Sequence, residues 1–429
     1  MRILVTGASG LIGSAICAKL IAEGHAVVGV GRPGGSPLPQ GLAGQVLVDM
    51  ARPGSAREWA SHLQDIDAVV NCAGLLQAGE GGTPSDLHIA GVDALFASCE
   101  AAGIRRIVSI SALAVAEDAP TEFARSKHRG DEALMARDLD WVILRPSVVL
   151  GRAAYGGSAL IRGLAALPVL PVLMESGPLQ IVTLDDVVKT TAYFLKESAP
   201  SRIVLELTGP ERLRFEEVVA AYRNWLRWPP ARRLRLPDWI GTLLFKLGDF
   251  AGLLGWRAPV RSTAQKELRR GSTGDPRPWM EATGMTPRSL QQMLDATPPS
   301  VQERWFAKLF FLKPLTLIVF AAFWLISGLI ALGPGYDEGV RILQAAGFGA
   351  YAEVTTVFGA VADIVLGLAM LYRPTARAAL IAAFVLCIFY LAIGTIVAPQ
   401  MWATPLGIFT KVVPIMALNL VVLALLKDR

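Results

Sequence analysis

The stretch EFARSK, Glu122 to Lys127, sets a phenylalanine four residues before a lysine within a predicted helix. Residues four apart lie on one face of a helix, so Phe123 and Lys127 are expected to face the same site. An ammonium group there can hold a sugar hydroxyl or donate a proton, whereas a phenyl ring has no proton to give. The nearby Arg125 and His128 should turn away from that face, since each residue along a helix rotates its side chain by about 100°.

A glycine-rich turn at the start of the chain predicts a nucleotide site. The apolar run Ile3 to Val5 is typical of a buried strand, and Leu11 to Ile21 has helical periodicity. Gly7, Gly10 and Gly13 lie at the junction, where a backbone without side chains can approach a pyrophosphate at a helix N-terminus. The residues expected to line this turn are Gly7, Ser9, Gly10, Leu11, Ile12 and Gly13.

Short apolar strands recur along the first part of the chain, with helical stretches between most of them. The further predicted strands are 26–30, 46–48, 68–70, 107–110 and 142–144. This alternation predicts an α/β fold with a doubly wound parallel sheet, the Rossmann type.

The end of the second strand bears on the choice of cofactor. An acidic residue there would bond the ribose 2'-hydroxyl of NAD, but the chain has Gly31 and Arg32. A guanidinium group pairs well with a 2'-phosphate, so NADP is favoured over NAD. The other residues expected near the dinucleotide are Asp49 and Met50, after the third strand, and Cys72, Ala73 and Gly74, after the fourth.

Together these motifs resemble the short-chain dehydrogenase/reductase superfamily, in its extended and atypical branches. The matching segments are TGASGLIG (6–13), SISA (109–112), LRPSVVLG (144–151), LQIVTLDDVV (179–188) and LELTGPERLRFEEVV (205–219). The resemblance covers residues 1–300 and is nearest to the set related to the NAD(P)-binding accessory subunit of respiratory complex I. It implies cofactor contacts from Lys127, Arg145, Pro146, Ser147 and Val148.

The resemblance also implies roles for three residues of the site. In that superfamily a tyrosine protonates the substrate carbonyl, a lysine lowers its pKa and holds the nicotinamide ribose, and a serine orients the substrate. Lys127 and Ser111 match, but Phe123 occupies the tyrosine position. An acid of this kind contributes about 10²–10⁴-fold. Two alternatives stay open: Lys127 is the acid, as in the isoflavone-reductase-like branch, or catalysis is lost.

The last part of the chain is apolar enough for a membrane. Of all residues 53% are hydrophobic, and the mean hydropathy is +0.45. Four apolar stretches are each long enough for a helix that crosses a bilayer, which needs ~20 residues. They are Leu312–Leu332, Tyr351–Tyr372, Ala376–Val397 and Pro405–Leu426. Their layout resembles the DoxX-like membrane family.

Charges next to these stretches predict an orientation. Cations precede the first stretch, separate the second from the third at Arg373 and Arg377, and follow the fourth at Lys427 and Arg429. The positive-inside rule then places both chain ends in the cytoplasm. A strand that begins at Arg2 leaves no room for a signal peptide, which agrees with a cytoplasmic N-terminal domain on the cell (inner) membrane.

Besides Lys313 and Arg377, each the second residue of its stretch, three charged residues lie within the predicted spans: Glu353, Asp363 and Lys411. By depth, Lys411 could pair with Glu353 or with Asp363, and Asp363 is the costlier one to leave unpaired. A structural ion pair and a proton or quinone site are both compatible with this placement.

We therefore predict three domains: a Rossmann core (1–150), a substrate-type subdomain (151–300) and a four-helix membrane domain (301–429). A segment near 236–256 follows three arginines and predicts an interfacial helix on anionic lipid, or else a core helix of the subdomain. The net charge of +5 sits on Arg-rich stretches, which favours a membrane surface over nucleic acid. The four cysteines have no disulfide or metal-ligand spacing, and no metal is predicted.

Two functions from different classes follow. One is a reductase or isomerase of a lipid-soluble substrate such as a quinone or an isoprenoid. The other is a non-catalytic nucleotide-binding subunit of a membrane protein complex.

Overall fold

The computed structural model describes residues 1–52, 55–79, 82–113, 115–172, 176–403 and 407–427. It forms two compact units. The first contains residues 1–249 and 259–307, and the second contains residues 250–258 and 308–429.

The first unit is built on a seven-stranded parallel sheet with the order β10-β6-β5-β4-β1-β2-β3. The strands of this sheet are β1 (Arg2–Thr6), β2 (Ala26–Gly31), β3 (Gly44–Leu47), β4 (Ala68–Asn71), β5 (Arg106–Ile110), β6 (Asp140–Pro146) and β10 (Ile203–Leu207). The strand order confirms the doubly wound α/β fold. The carboxyl ends of β1, β4 and β5 meet at one edge, which is where such folds bind ligands.

Both faces of this sheet are covered, which explains why its strands are continuously apolar. Ile3 and Val5 pack into one hydrophobic cluster and Leu4 into the other, and all three are fully buried. The helices of this part are α1 (Leu11–Ala22), α2 (Ser55–His62), α3 (Val92–Ala101), α4 (Glu122–Met135) and α6 (Leu184–Phe194), with a π-helical turn at Asp86–Gly91 before α3.

A smaller layer completes the first unit around a third hydrophobic cluster, which includes Leu150, Tyr222 and Leu294. Two strand pairs belong to it: β7 (Val148–Leu150) with β9 (Ile181–Thr183), and β8 (Val169–Val172) with β11 (Arg232–Arg235). The helices that contribute to it are α5 (Gly157–Ala166), α7 (Phe215–Trp225), α9 (Ser262–Arg270) and α11 (Leu290–Asp295). Helix α10 (Arg277–Thr283) instead packs through Trp279 on the cluster that contains Ile3 and Val5. Helix α8 (Asp238–Leu253) precedes α9, and its residues from 250 onward belong to the second unit.

The second unit contains the apolar helices. The long helices are α12 (Val301–Leu332), α14 (Ala352–Leu371), α15 (Arg373–Val397) and α16 (Ile408–Lys427). Four segments are long and apolar enough to cross a membrane, 301–332, 349–371, 373–397 and 409–426, as the sequence predicts. The predicted start of the last span at Pro405, and the cation Arg429, lie outside the described residues.

The structure adds a helix that hydropathy did not predict. Helix α13 (Tyr336–Ala345) follows the first span, and its first turn carries Asp337 and Glu338. Because its residues are mixed in polarity, no apolar run marks it in the sequence.

The expected ion pair of the membrane helices is wrong. The Tyr390 hydroxyl donates to the Asp363 carboxylate at 3.5 Å, and in the described part of the chain no ion pair joins Lys411 to Glu353 or Asp363. Lys411 and Glu353 are exposed. Depth along a span does not determine which way a side chain faces, so depth alone did not identify Tyr390 as the partner of Asp363.

Candidate functional site

The glycine turn between β1 and α1 is closed by contacts that admit no side chain. Gly7 has φ +63°, and a Cβ there would lie 2.6 Å from the Cys72 carbonyl oxygen. A Cβ on Gly13 would lie 2.2 Å from the Gly7 carbonyl oxygen, and the Gly10 amide donates to that same oxygen at 2.9 Å. Ser9, Leu11 and Ile12 are half-buried around it. This bare backbone at a helix N-terminus fits the pyrophosphate of a dinucleotide.

A buried polar network fixes the strand ends beside this turn. The Thr6 hydroxyl donates to the Asn71 side-chain oxygen at 2.8 Å, and the Asn71 side-chain nitrogen donates to the Ser109 hydroxyl at 3.1 Å. The Ala73 amide donates to the same Asn71 oxygen at 3.3 Å. Asn71 therefore positions Cys72, Ala73 and Gly74, the predicted cofactor contacts after β4. Sequence reasoning gave Asn71 no role of its own.

The Lys127 side chain is buried and hydrogen-bonded at the ends of two strands. Its ammonium group donates to the carbonyl oxygen of Ile110 at 2.9 Å and to that of Ala73 at 3.2 Å, and the residue is only 8% exposed. Burial lowers the pKa of Lys127, and the nearby Asp131 carboxylate opposes that effect. An ammonium group carries three protons, so two fix its position and one remains.

Ser111 belongs to a hydrogen-bonded group with Asp131 and Arg145. Its hydroxyl donates to the buried Asp131 carboxylate at 2.9 Å, and the Arg145 guanidinium donates to the same carboxylate at 2.9 Å. Burial raises the pKa of Asp131, while Ser111 and Arg145 act against that rise. Sequence reasoning missed Asp131, although it lies four residues after Lys127 on the same face of α4. The neighbouring predicted contacts are Pro146, which is buried, and Ser147 and Val148, which are half-buried.

Phe123 lies on the predicted face of α4, which Thr121 caps by accepting the Ala124 amide at 3.2 Å. The Phe123 ring meets the His88 ring edge to face, with the centroids 5.7 Å apart. A phenyl group thus fills the place of a hydroxylated ring.

His88 is buried and locked in its neutral form. Its Nε2 accepts the Leu75 amide at 2.9 Å, so the proton lies on Nδ1, which is 2.9 Å from the Ser126 hydroxyl. Burial, with the Lys127 charge nearby, lowers the pKa of His88 to about 2. These contacts make His88 a structural residue.

This depressed pKa makes stability pH-dependent. An unfolded histidine titrates near 6.5, so His88 contributes stability that is present above about pH 6.5 and is lost as pH falls, by up to about 1.4 kcal/mol per pH unit. We expect His88→Gln, which keeps an acceptor for Leu75 but does not titrate, to show a shallower loss. Thermal unfolding of the full chain in detergent between about pH 7.5 and about pH 5 measures this difference. Equal pH slopes for the two proteins would contradict the assignment.

The residues predicted to discriminate between cofactors occupy the end of β2 and the turn after β3. Arg32 is half-buried, and among the described residues no hydrogen bond or ion pair engages its guanidinium. Asp49 instead pairs with Arg52 at 3.0 Å and accepts the Ala51 amide at 3.3 Å, while Met50 is buried. Within the part of the chain that the structure describes, the Arg32 guanidinium thus has no protein partner, whereas Asp49 is already paired.

Family models match both parts of the chain. A model described as NAD(P)H-binding matches residues 7–162, and a model described as a DoxX-like family matches residues 321–420.

Three relatives indicate the range of proteins that share the first part. An uncharacterized protein of Mycobacterium tuberculosis is 29% identical over 223 residues, which are 52% of this chain but only 23% of that protein. A ceramide reductase of Caulobacter vibrioides is 25% identical over 238 residues, covering 55% of this chain and 74% of the reductase. A UDP-glucose 4-epimerase of Klebsiella pneumoniae is 31% identical over 134 residues, covering 28% of this chain and 95% of the epimerase.

A solved structure shares the fold. The UDP-glucuronic acid 4-epimerase from Bacillus cereus in complex with NAD superposes with a TM-score of 0.53 at 18% identity, covering 72% of this chain and 100% of the epimerase. At this identity the likeness concerns the fold alone.

Proposed function

Since the chain belongs to the NAD(P)-binding short-chain dehydrogenase/reductase family and continues into a DoxX-like membrane domain, we propose that it is a membrane-anchored, NADP-dependent reductase of a lipid carbonyl compound. The observation that carries this proposal is the buried ammonium group of Lys127, held between Ala73 and Ile110 at the cofactor edge of the sheet. A lipid substrate is supported by the apolar helices and by the similarity to a ceramide reductase.

In such a reduction, some residues of the site would bind the cofactor and Lys127 would donate the proton. The glycine turn would hold the pyrophosphate, and Arg32 would hold the 2'-phosphate. When bound, the nicotinamide supplies the hydride for the carbonyl carbon. Lys127 gives its remaining proton to the carbonyl oxygen, so that an alcohol forms and the neutral amine regains a proton from water. The lowered pKa of Lys127 makes its ammonium group a better acid.

The direct test of the reductase is NADPH oxidation by the purified full chain in lipid vesicles. Ceramide-like ketones, long-chain β-keto compounds and a quinone should be compared as substrates. We expect turnover with at least one membrane-soluble carbonyl compound and none with its water-soluble, short-chain analogue. Turnover with the short analogue alone would contradict a lipid substrate.

The cofactor choice makes a separate prediction. Charge-assisted hydrogen bonds contribute about 1.5–3 kcal/mol, so wild-type protein should bind NADPH about 10–100-fold more tightly than NADH. We expect Arg32→Asp to reverse this order, because an acid repels the 2'-phosphate and accepts from a 2'-hydroxyl. Calorimetric titration of both proteins with both cofactors measures the ratio. Arg52→Asp serves as the control, since Arg52 is already paired with Asp49. Equal wild-type affinities would contradict the role of Arg32.

A non-catalytic nucleotide-binding subunit is the second candidate function, and Phe123 is the observation that favours it. Phe123 cannot exchange protons, and its ring packs against His88, which is itself fully engaged. A nucleotide-binding subunit that stabilises or regulates a membrane redox complex would need no acid at this position. Such a protein would bind NADPH and leave it unoxidised with every carbonyl substrate.

We further propose that the protein lies in the cell membrane with its N-terminal unit in the cytoplasm. A cysteine introduced at Gln400, in the uncharged connection before α16, should react with an impermeant maleimide on intact cells. A cysteine at Thr375, at the start of α15, should react only after the cells are opened. Both positions are exposed, so accessibility depends on the side of the membrane. The opposite labelling pattern would contradict this orientation.

A further inference from the structure

Helix α8 presents large apolar side chains to the outside of the protein. Trp239, Leu243 and Leu247 are 66%, 48% and 53% exposed. They are spaced four residues apart, so they form one continuous stripe on the helix. Further exposed apolar residues of α8 are Leu244, Phe250 and Leu253. We call the stripe of Trp239, Leu243 and Leu247 the outer face of α8.

The opposite side of α8 is packed tightly, so the outer face is fixed in its direction. Phe245 is only 6% exposed, and a Cβ on Gly248 would lie 1.6 Å from the Val260 carbonyl oxygen. Asp249 accepts the Ser262 amide at 3.1 Å. A helix held by Phe245, Gly248 and Asp249 on one side cannot turn its outer face inward.

Exposed cations lie on α8 and on the strand that precedes it in the chain. Strand β11, which ends just before α8, carries Arg232, Arg233 and Arg235, all of them exposed. Lys246 on α8 is also exposed. An apolar stripe on a helix that carries an exposed lysine and follows three exposed arginines in the chain has the composition of a helix that lies in the interface of an anionic membrane. Tryptophan prefers that same depth, since its ring is apolar and its N–H is polar.

The length of α8 excludes the alternative of a span. Its 16 residues reach about 24 Å at 1.5 Å per residue, short of the ~30 Å hydrocarbon core. Asp238, Lys246 and Asp249 would also be costly inside a bilayer.

The chain that leaves α8 meets the end of a membrane helix. Within the second unit, the Arg373 amide donates to the Leu254 carbonyl oxygen at 3.0 Å, and the Trp256 indole donates to the Leu371 carbonyl oxygen at 2.7 Å. These contacts lie where α14 ends and α15 begins, at the boundary of two candidate spans. The residues directly after α8 are therefore held at the level of the membrane surface.

We propose that α8 is a lipid-binding surface that lies in the interface of an anionic bilayer. Trp239, Leu243 and Leu247 enter the boundary of the acyl chains, and the arginines of β11 bind headgroup phosphates. This surface is additional to the membrane spans and does not depend on the reductase chemistry.

One consequence of this surface rests on the proposed function. The segment after α8 reaches the site, because the Arg261 guanidinium donates to the Ala78 carbonyl oxygen at 3.3 Å and Glu267 accepts from the Thr121 hydroxyl. Thr121 caps the helix that carries Phe123 and Lys127. A lipid bound at α8 would thus lie next to the segment that contacts the N-terminal cap of the helix carrying Lys127.

The test places a fluorescent label on α8 in the full chain. Leu243→Cys is labelled with NBD and reconstituted in vesicles of phosphatidylcholine with phosphatidylglycerol, with doxyl-labelled lipid as quencher. Leu47→Cys is the matched control, since Leu47 is 62% exposed at the edge strand β3. Wild-type protein gives the background, because Cys17, Cys99 and Cys387 are buried and Cys72 is half-buried.

We expect the label at 243 to lose most of its emission to doxyl lipid, and the label at 47 to keep it. Each cation near an anionic surface adds about fivefold to the partitioning of a protein onto the membrane. Quenching of the label at 243 should therefore be weaker in vesicles without phosphatidylglycerol. It should also be weaker in the triple variant Arg232→Glu, Arg233→Glu and Arg235→Glu. Equal quenching at 243 and 47 would overturn the proposal. Quenching indifferent to phosphatidylglycerol would overturn the choice of anionic lipid. If the label at 243 is protected from doxyl lipid and the unlabelled Leu243→Cys protein forms a disulfide-linked dimer, α8 is a dimer face and the proposal is overturned.

Discussion

Replacing Lys127 by methionine is expected to lower kcat of NADPH-dependent carbonyl reduction by about 10²–10⁴-fold, the contribution of a positioned acid. Methionine keeps the length of the side chain and removes the ammonium group that would protonate the carbonyl oxygen. Wild-type activity should also fall as pH rises through the lowered pKa of Lys127, because only the ammonium form is acidic enough to protonate the carbonyl oxygen. Initial rates of NADPH oxidation across pH, for both proteins in the same vesicles, measure these effects.

Two controls separate chemistry from folding. Lys127→Met leaves the carbonyl oxygens of Ala73 and Ile110 without their donor, at a cost of about 1–3 kcal/mol each, partly offset because a buried charge is removed. Thermal unfolding in detergent must therefore show that the variant is folded. Lys196→Met, at an exposed lysine, should leave the rate unchanged. A folded Lys127→Met protein with wild-type kcat would contradict lysine as the acid.

Replacing Phe123 by tyrosine is expected to raise kcat by about 10–10³-fold, within the range that one general acid supplies. The change adds a single hydroxyl on the helix face that also carries Lys127. Phe123 is half-buried and meets His88 only through its ring, so the fold should tolerate the change. Single-turnover rates with saturating NADPH measure the chemical step without product release.

The double variant Phe123→Tyr with Lys127→Met shows which group acts. If tyrosine becomes the acid and lysine lowers its pKa, the double variant should lose most of the gain. A Phe123→Tyr protein that is folded, binds NADPH and gains nothing would mean that the hydroxyl does not reach the substrate carbonyl. Lys127 would then remain the proposed proton donor.

Much of the fold could be predicted because its apolar strands, its glycine turn and its long apolar helices each leave a local pattern in the sequence. The central strands β1 and β4 are buried on both faces, so they appear in the sequence as unbroken apolar runs, and the turn at Gly7 and Gly13 leaves no space for a Cβ. The four spans follow from hydropathy alone. Helix α13 was missed because its mixed polarity gives no such run.

The side-chain network of the site was less predictable. Ser111 and Asp131 lie far apart in the chain, and only the crossing of α4 over the end of β5 brings them together. Asn71 bonds residues of β1 and β5, a role that no local pattern reveals. In the membrane helices, the partner of Asp363 depends on which face of α15 carries Tyr390.

The most direct measurement follows the hydride itself. Full-length protein in vesicles is supplied with NADPH deuterated at the nicotinamide C4 position and with a long-chain keto lipid, and the lipid alcohol is analysed by mass spectrometry. We expect one deuterium on the carbinol carbon, on one face only, and almost none in the folded Lys127→Met variant. Tight binding of NADPH with no deuterium in any lipid, from wild type and from Phe123→Tyr alike, would contradict a reductase and leave a nucleotide-binding subunit.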